Sequence, residues 1–254
     1  MEHVLVGPWS GYGGQPNCRS AEQGRPRLTP GRGRPGDQVV LWHAVLVSGV
    51  ADDTVTIYAT AARSFARLVR AIPAGRWDGP GLGEWDLRSL VGHTARSLTT
   101  VSTYMRTAAE GEDIASPQEY YVRVKAAAAA MGPSGVVERG RQAGKDLGAD
   151  PAMSVDALVE SVLEQLADSE DRLIQVIGGL GIRLYAYLPT RTFELAVHSL
   201  DIAAAVDVQF SLPGEVLSEA TVLAARIAVT SGDGCAVLTS LTGRTTLPAS
   251  FSVV

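Results

Sequence analysis

The sequence predicts an all-α protein, a bundle of helices joined by short connections, and three observations carry that expectation. Beyond residue 51 the apolar residues recur at helical spacing in segment after segment, and no strand-rich block or internal repeat interrupts them. Breaker residues mark the ends of those segments, as at Pro73 and Gly178-Gly179. Composition agrees: 46% hydrophobic and 19% charged residues with only four Phe describe an Ala- and Leu-rich helical body.

The same balance excludes several functions. A net charge of -5 without a basic stripe gives nucleic acid no footprint. Cys18 and Cys235 lie far apart with no CxxC spacing, which argues against a disulfide scaffold and a thiolate zinc site and for a reducing cytoplasmic compartment. Cys235 is expected to be a small buried hydrophobe. The longest apolar run, residues 39–51, is 13 residues long and too short to span a bilayer, which needs about 20. Arg32 and Arg34 before it suggest a signal-peptide core, but its distance from Met1 and its Trp42 and His43 oppose that reading.

Residues 1–50 are dense in Gly, Pro and Arg and are expected to stay disordered, either as a solvated tail or as sequence upstream of a start near Val47 or Val50. A basic arm for an acidic partner is the functional alternative. From Asp52 a stripe of Val55, Ile57, Tyr58, Ala61, Ala62, Phe65, Leu68, Val69 and Ile72 predicts the first helix, ended by Pro73. A Gly-rich loop over residues 73–84, anchored by Trp77, leads to Asp86, which can cap a second helix reaching about Ala109. Residues 117–131 read as a third helix, and residues 133–147 as a more polar helix or its continuation. Ser154 is the expected cap of a long amphipathic helix running through Leu166, Leu173 and Ile174 to Ile177, with Gly178-Gly179 as its stop. Residues 180–189 read as an apolar connection. Pro213 suits the first position of a helix ending near Thr230, and a brief helix over residues 235–241 is expected after it. The expected division is a tail over 1–50, a helical bundle over 51–208 and a short helical extension over 209–254.

The segment after that connection carries the chemistry. Between Arg191 and Val206 nearly every side chain is apolar except Glu194, His198 and Asp201, which recur at i, i+4 and i+7 on one face. A polar stripe on a buried helix needs a partner, and either a metal ion or a hydrogen-bond network would supply it. Only two histidines, His93 and His198, lie beyond Asp52, and with Glu194 they make a two-His, one-carboxylate set of the kind that holds catalytic zinc. His93 would reach across the core from the second helix, and Asp201 or Arg191, each one turn from a ligand, could fix ligand orientation. Spacing alone leaves the polar network open, because E-x-x-x-H is a common helical pattern.

Two blocks go further. Gly81-Leu-Gly-Glu-Trp-Asp-Leu-Arg-Ser-Leu-Val-Gly-His-Thr94 and Tyr187-Leu-Pro-Thr-Arg-Thr-Phe-Glu-Leu-Ala-Val-His-Ser-Leu-Asp201 resemble the signature blocks of the mycothiol-dependent maleylpyruvate isomerase family, in the wider DinB-like group of metalloenzymes. The ending, Leu241 to Val253, also resembles that of short members. The resemblance covers roughly residues 52–254. It implies a DinB-like four-helix bundle with an additional C-terminal helix, and a divalent metal, usually zinc, held by His93, Glu194 and His198. Mycothiol is the implied thiol cosubstrate and a small electrophile its partner. Members that isomerise maleylpyruvate carry a sizeable extra C-terminal domain, so the expectation is the shared thiol chemistry, isomerisation or S-transfer. A metal-binding bundle with a structural or sensing role is the alternative, and Asp201 is the residue best placed to close such a site.

Overall fold

A computed structural model describes the backbone of residues 38–254 except Ala130 and Met131, and the side chains of residues 53–124 and 135–254. Eight helices and one two-stranded hairpin make up the described chain. The first helix, α1 (Gln38–Arg70), starts well before the Asp52 expected from the apolar stripe. The rest of the expected tail, residues 1–37, lies outside the described residues.

The helices that build the core are α1, α2 (Leu87–Tyr104), α5 (Pro151–Ala167) and α6 (Leu184–Val206). Each of α1 and α2 packs against both α5 and α6, so the four close a bundle around one core. The expected stripe of α1 is buried from Tyr58 to Ile72, with Val55 and Ile57 at its margin. On α2, Leu87, Leu90, Val91, Leu98 and Val101 are buried, and Asp86 caps the helix by accepting a hydrogen bond from the Ser89 amide at 2.7 Å. Outside the bundle, α4 (Gly132–Asp146) packs on α2, while α3 (Pro117–Ala129) packs on α6 and on α7 (Gly214–Thr230). The short α8 (Gly234–Leu241) follows α7. Among the described residues no helix is long and apolar enough to cross a membrane.

The α2–α4 contact is a backbone approach. A Cβ on Gly92 would lie 2.2 Å from the amide nitrogen of Gly144, so neither helix could come this close with a side chain there. The contact seats α4 against α2 one residue before His93.

Several expectations need correction. The long helix from Ser154 to Ile177 stops at Ala167, and Asp150, not Ser154, caps it, accepting from the Met153 amide at 3.0 Å. Ser154 instead donates to the Leu147 carbonyl at 2.8 Å. Residues 168–172 hold no apolar side chain to bury, and Leu173–Gln175 becomes strand β1, paired antiparallel with β2 (Gly181–Arg183). Ile174 and Ile182 face each other in this register and are both fully buried. Gly178 and Gly179, at φ 79° and 78°, turn the hairpin in the left-handed region, so they reverse the chain and do not cap a helix.

The second helix ends at Tyr104, short of Ala109, because the chain beyond it runs beside the hairpin: the Gln175 amide donates to the Thr107 carbonyl at 2.9 Å. The apolar connection over 180–189 is mostly helix, with Pro189 inside α6, where buried Tyr187 and Leu188 outweigh the missing amide. Cys235 is only half-buried, so it is not the small buried hydrophobe expected. Pro213 precedes α7 as its cap residue and is not its first helical residue.

Candidate metal centre

Helix α6 is buried on most sides, and its polar stripe points at α2. Glu194 and His198 sit one turn apart on it, and His93 comes from the second turn of α2 across the core. The three are buried, and one ligand atom from each lies within 4.8 Å of the others. Among the described residues no fourth His, Cys, Asp or Glu joins this cluster.

Each side chain is held from a different direction. The His93 ring stacks on Trp85 at 4.4 Å between centroids and meets the His198 ring edge-on at 5.0 Å. Trp85 is itself fixed, donating from Nε1 to the Val137 carbonyl of α4 at 2.9 Å. His198 Nδ1 lies 3.0 Å from Asp201 Oδ2, and its Nε2 lies 3.4 Å from Glu194 Oε2. In the neutral ring a carboxylate on Nδ1 selects the tautomer with its proton there, which makes Nε2, on the side of Glu194 and His93, the nitrogen able to ligate. Glu194 is positioned by Tyr121 of α3, whose hydroxyl reaches Oε1 at 2.9 Å and the Thr190 carbonyl at 3.0 Å. The second carboxylate oxygen is thereby aimed at His198.

The electrostatics are those of buried opposite charges. Burial alone would lower the His198 pKa, but the hydrogen bonds and charges of Asp201 and Glu194 push it up to about 9. In the metal-free protein His198 is therefore an imidazolium at neutral pH, with a carboxylate facing each ring nitrogen. The Tyr121 hydroxyl is pushed well above its ordinary value by burial and then by the Glu194 charge, so it stays a donor.

The donor set fits a zinc-like cation. Bonds of about 2.0–2.1 Å place tetrahedral ligand atoms about 3.4 Å apart, and His198 Nε2 and Glu194 Oε2 already stand 3.4 Å apart. Asp201 faces Nδ1, the far side of the ring, and so does not close the site.

Of the residues expected from sequence, His93, Glu194 and His198 come together and Asp201 touches one of them. Arg191 does not touch them through a hydrogen bond. Its Nε donates to Thr190 Oγ1 at 3.1 Å, and its guanidinium lies over the rings of Tyr187 at 5.0 Å and Tyr120 at 5.4 Å. It acts on Glu194 only through its charge. Sequence reasoning misses Tyr121, which sits 73 residues from the carboxylate it holds. It also gives Trp85 no role, although the residue lies inside the first signature block.

Comparison with known proteins gives a family. No curated protein and no solved structure gives a significant match. One family model does, that of the mycothiol maleylpyruvate isomerase N-terminal domain, over residues 58–203. That span runs from the first turns of the described core to the end of the polar stripe and takes in His93, Tyr121, Glu194, His198 and Asp201. It covers more than half of the 254 residues, and the chain belongs to the mycothiol maleylpyruvate isomerase N-terminal domain family.

Proposed function

We propose that the chain is a metal-dependent enzyme in which His93, Glu194 and His198 hold one divalent cation, zinc foremost, and which uses a low-molecular-weight thiol on a small electrophile. The observation that carries this reading is the buried convergence of three ligand atoms within 4.8 Å, supplied by two helices and matching a catalytic rather than a closed structural donor set. Family membership supports mycothiol as the thiol and isomerisation or S-transfer as the reaction. A cytoplasmic location fits a small-molecule thiol enzyme.

A divalent cation bound here would lower the pKa of a thiol in the open position and so supply a thiolate at neutral pH. The chain does the rest. Asp201 keeps the His198 proton on Nδ1, Tyr121 holds Oε1 of Glu194, and Trp85 fixes the plane of His93. The three ligand side chains are almost wholly shielded, between 0% and 6% exposed, so water competes poorly for them and their electrostatic influence is strong.

Elemental analysis of untagged protein tests the proposal, wild type beside His93→Ala and His198→Ala. About one metal per chain, lost in both variants, is expected, together with mycothiol-dependent consumption of an electrophile by the wild type alone. Full zinc content in either variant refutes the ligand set. The second reading, a non-enzymatic metal-binding bundle, is favoured if metal is present and no thiol turnover is found with any electrophile. Asp201 argues against it, because the residue that could have closed the site is bonded elsewhere.

A further inference from the structure

The cleft between α2, α4 and α5 opens into a cavity of about 690 Å³. That volume lies within the range of small-molecule sites and far exceeds that of a single ion. None of its lining residues is a metal ligand or touches one through a hydrogen bond. Gly92, the nearest in sequence, lies on the face of α2 pressed against Gly144, away from His93.

The walls are unusual in their charge. Arg96 of α2 and Arg139 of α4 both line the cavity. The guanidinium of Arg96 has no hydrogen-bond or ion-pair partner among the described residues, and Arg139 only donates from Nε to the Gly135 carbonyl at 3.2 Å. The single carboxylate on the wall, Asp146, accepts from Gln142 at 2.8 Å and neutralises neither. Hydroxyls of Thr99 and Thr103 lie along the α2 side. Two half-buried guanidiniums with no carboxylate paired to them among the described residues attract an anion, while threonine hydroxyls and the second oxygen of Asp146 suit the hydroxyls of a polar body.

We propose that this cavity is a second ligand site, separate from the metal centre, for a small hydroxylated anion of the sugar-phosphate class. Arg96 and Arg139 bind the anionic head, and Thr99, Thr103 and Asp146 bind the hydroxylated body.

Glucose 6-phosphate is the probe, titrated calorimetrically into the full chain as purified with its metal, with glucose and inorganic phosphate as controls. The expected result is one site per chain, with affinity at least tenfold above either control. Arg96→Gln with Arg139→Gln is expected to weaken it at least tenfold while metal content and melting temperature stay at wild-type values. Should the double variant fail to fold, Arg96→Gln alone serves, since its guanidinium has no hydrogen bond or ion pair to lose among the described residues, and a threefold or greater loss is expected. Absence of saturable glucose 6-phosphate binding overturns the proposal, as does unchanged affinity in the folded variant or equal binding of inorganic phosphate. The proposal does not depend on the metal, so His93→Ala is expected to bind the probe normally. Loss of probe binding with the metal would place the ligand at the metal centre and overturn the second site.

Discussion

Tyr121→Phe removes one oxygen atom and leaves a buried ring in place, so its effect reports what the hydroxyl does for the metal centre. That hydroxyl donates to Glu194 Oε1 at 2.9 Å, and the variant leaves this carboxylate oxygen without its donor. A hydrogen bond to a charged group contributes about 1.5–3 kcal/mol, and the loss of a group that orients a metal ligand lowers metal affinity by about 10–100-fold. At about 1.4 kcal/mol per factor of ten the two ranges agree. The zinc dissociation constant of Tyr121→Phe, measured by competition with a chromogenic chelator, should therefore rise about 10–100-fold over wild type. Tyr187→Phe is the control, because that buried hydroxyl donates to Thr100 Oγ1 at 3.0 Å and touches no ligand. Its zinc affinity should stay within about threefold of wild type. Equal affinity in wild type and Tyr121→Phe would refute the claim that α3 orients Glu194, and an equal loss in both variants would show general loosening of the tyrosine cluster.

Asp201→Asn keeps the size of the side chain but lets an amide face His198 Nδ1, so the tautomer is no longer fixed and zinc affinity should fall by about 10-fold or more in the same assay. For pH the sign runs in two directions. In the metal-free protein His198 has a pKa raised to about 9, so its ion pairs stabilise the fold fully below about pH 6.5, the unfolded value, and that contribution is lost as pH rises through about 9. Zinc must displace the same proton, so its affinity should rise with pH over this window. Calorimetry near pH 7 in buffers of different ionisation enthalpy should find about one proton released per zinc, and no release would contradict the protonated state assigned to His198. Gly92→Ala forces a Cβ to within 2.2 Å of the Gly144 backbone and should destabilise the protein by about 2–4 kcal/mol, seen as a melting temperature lower by about 5–15 °C. An unchanged melting temperature would mean that α4 is free to move off α2.

What the sequence discloses about this site depends on how local the signal is. Glu194, His198 and Asp201 share one helix, and a period of 3.6 puts them on one face without knowledge of any other segment. His93 needs only one further step, since it is the one other histidine beyond Asp52. The break after Ala167 is different in kind. Leu166, Leu173, Ile174 and Ile177 keep helical spacing, so the apolar pattern alone continues the helix. What stops it is pairing with residues 181–183 and the Thr107 carbonyl, partners that no local window contains. Tyr121 is hidden for the same reason, since a tyrosine beside another tyrosine in an otherwise ordinary helix carries no mark of the carboxylate it serves. Arg191 marks the boundary between the two cases: spacing rightly places it one turn from Glu194, but its planar cation settles on Tyr120 and Tyr187, one of them from α3. The same two neighbouring tyrosines of α3 thus divide the work, Tyr120 under the buried cation and Tyr121 on the ligand carboxylate. The position of α3 against α6 therefore sets both the charge near the metal centre and the aim of Glu194, a dependence that becomes visible only when the helices are packed.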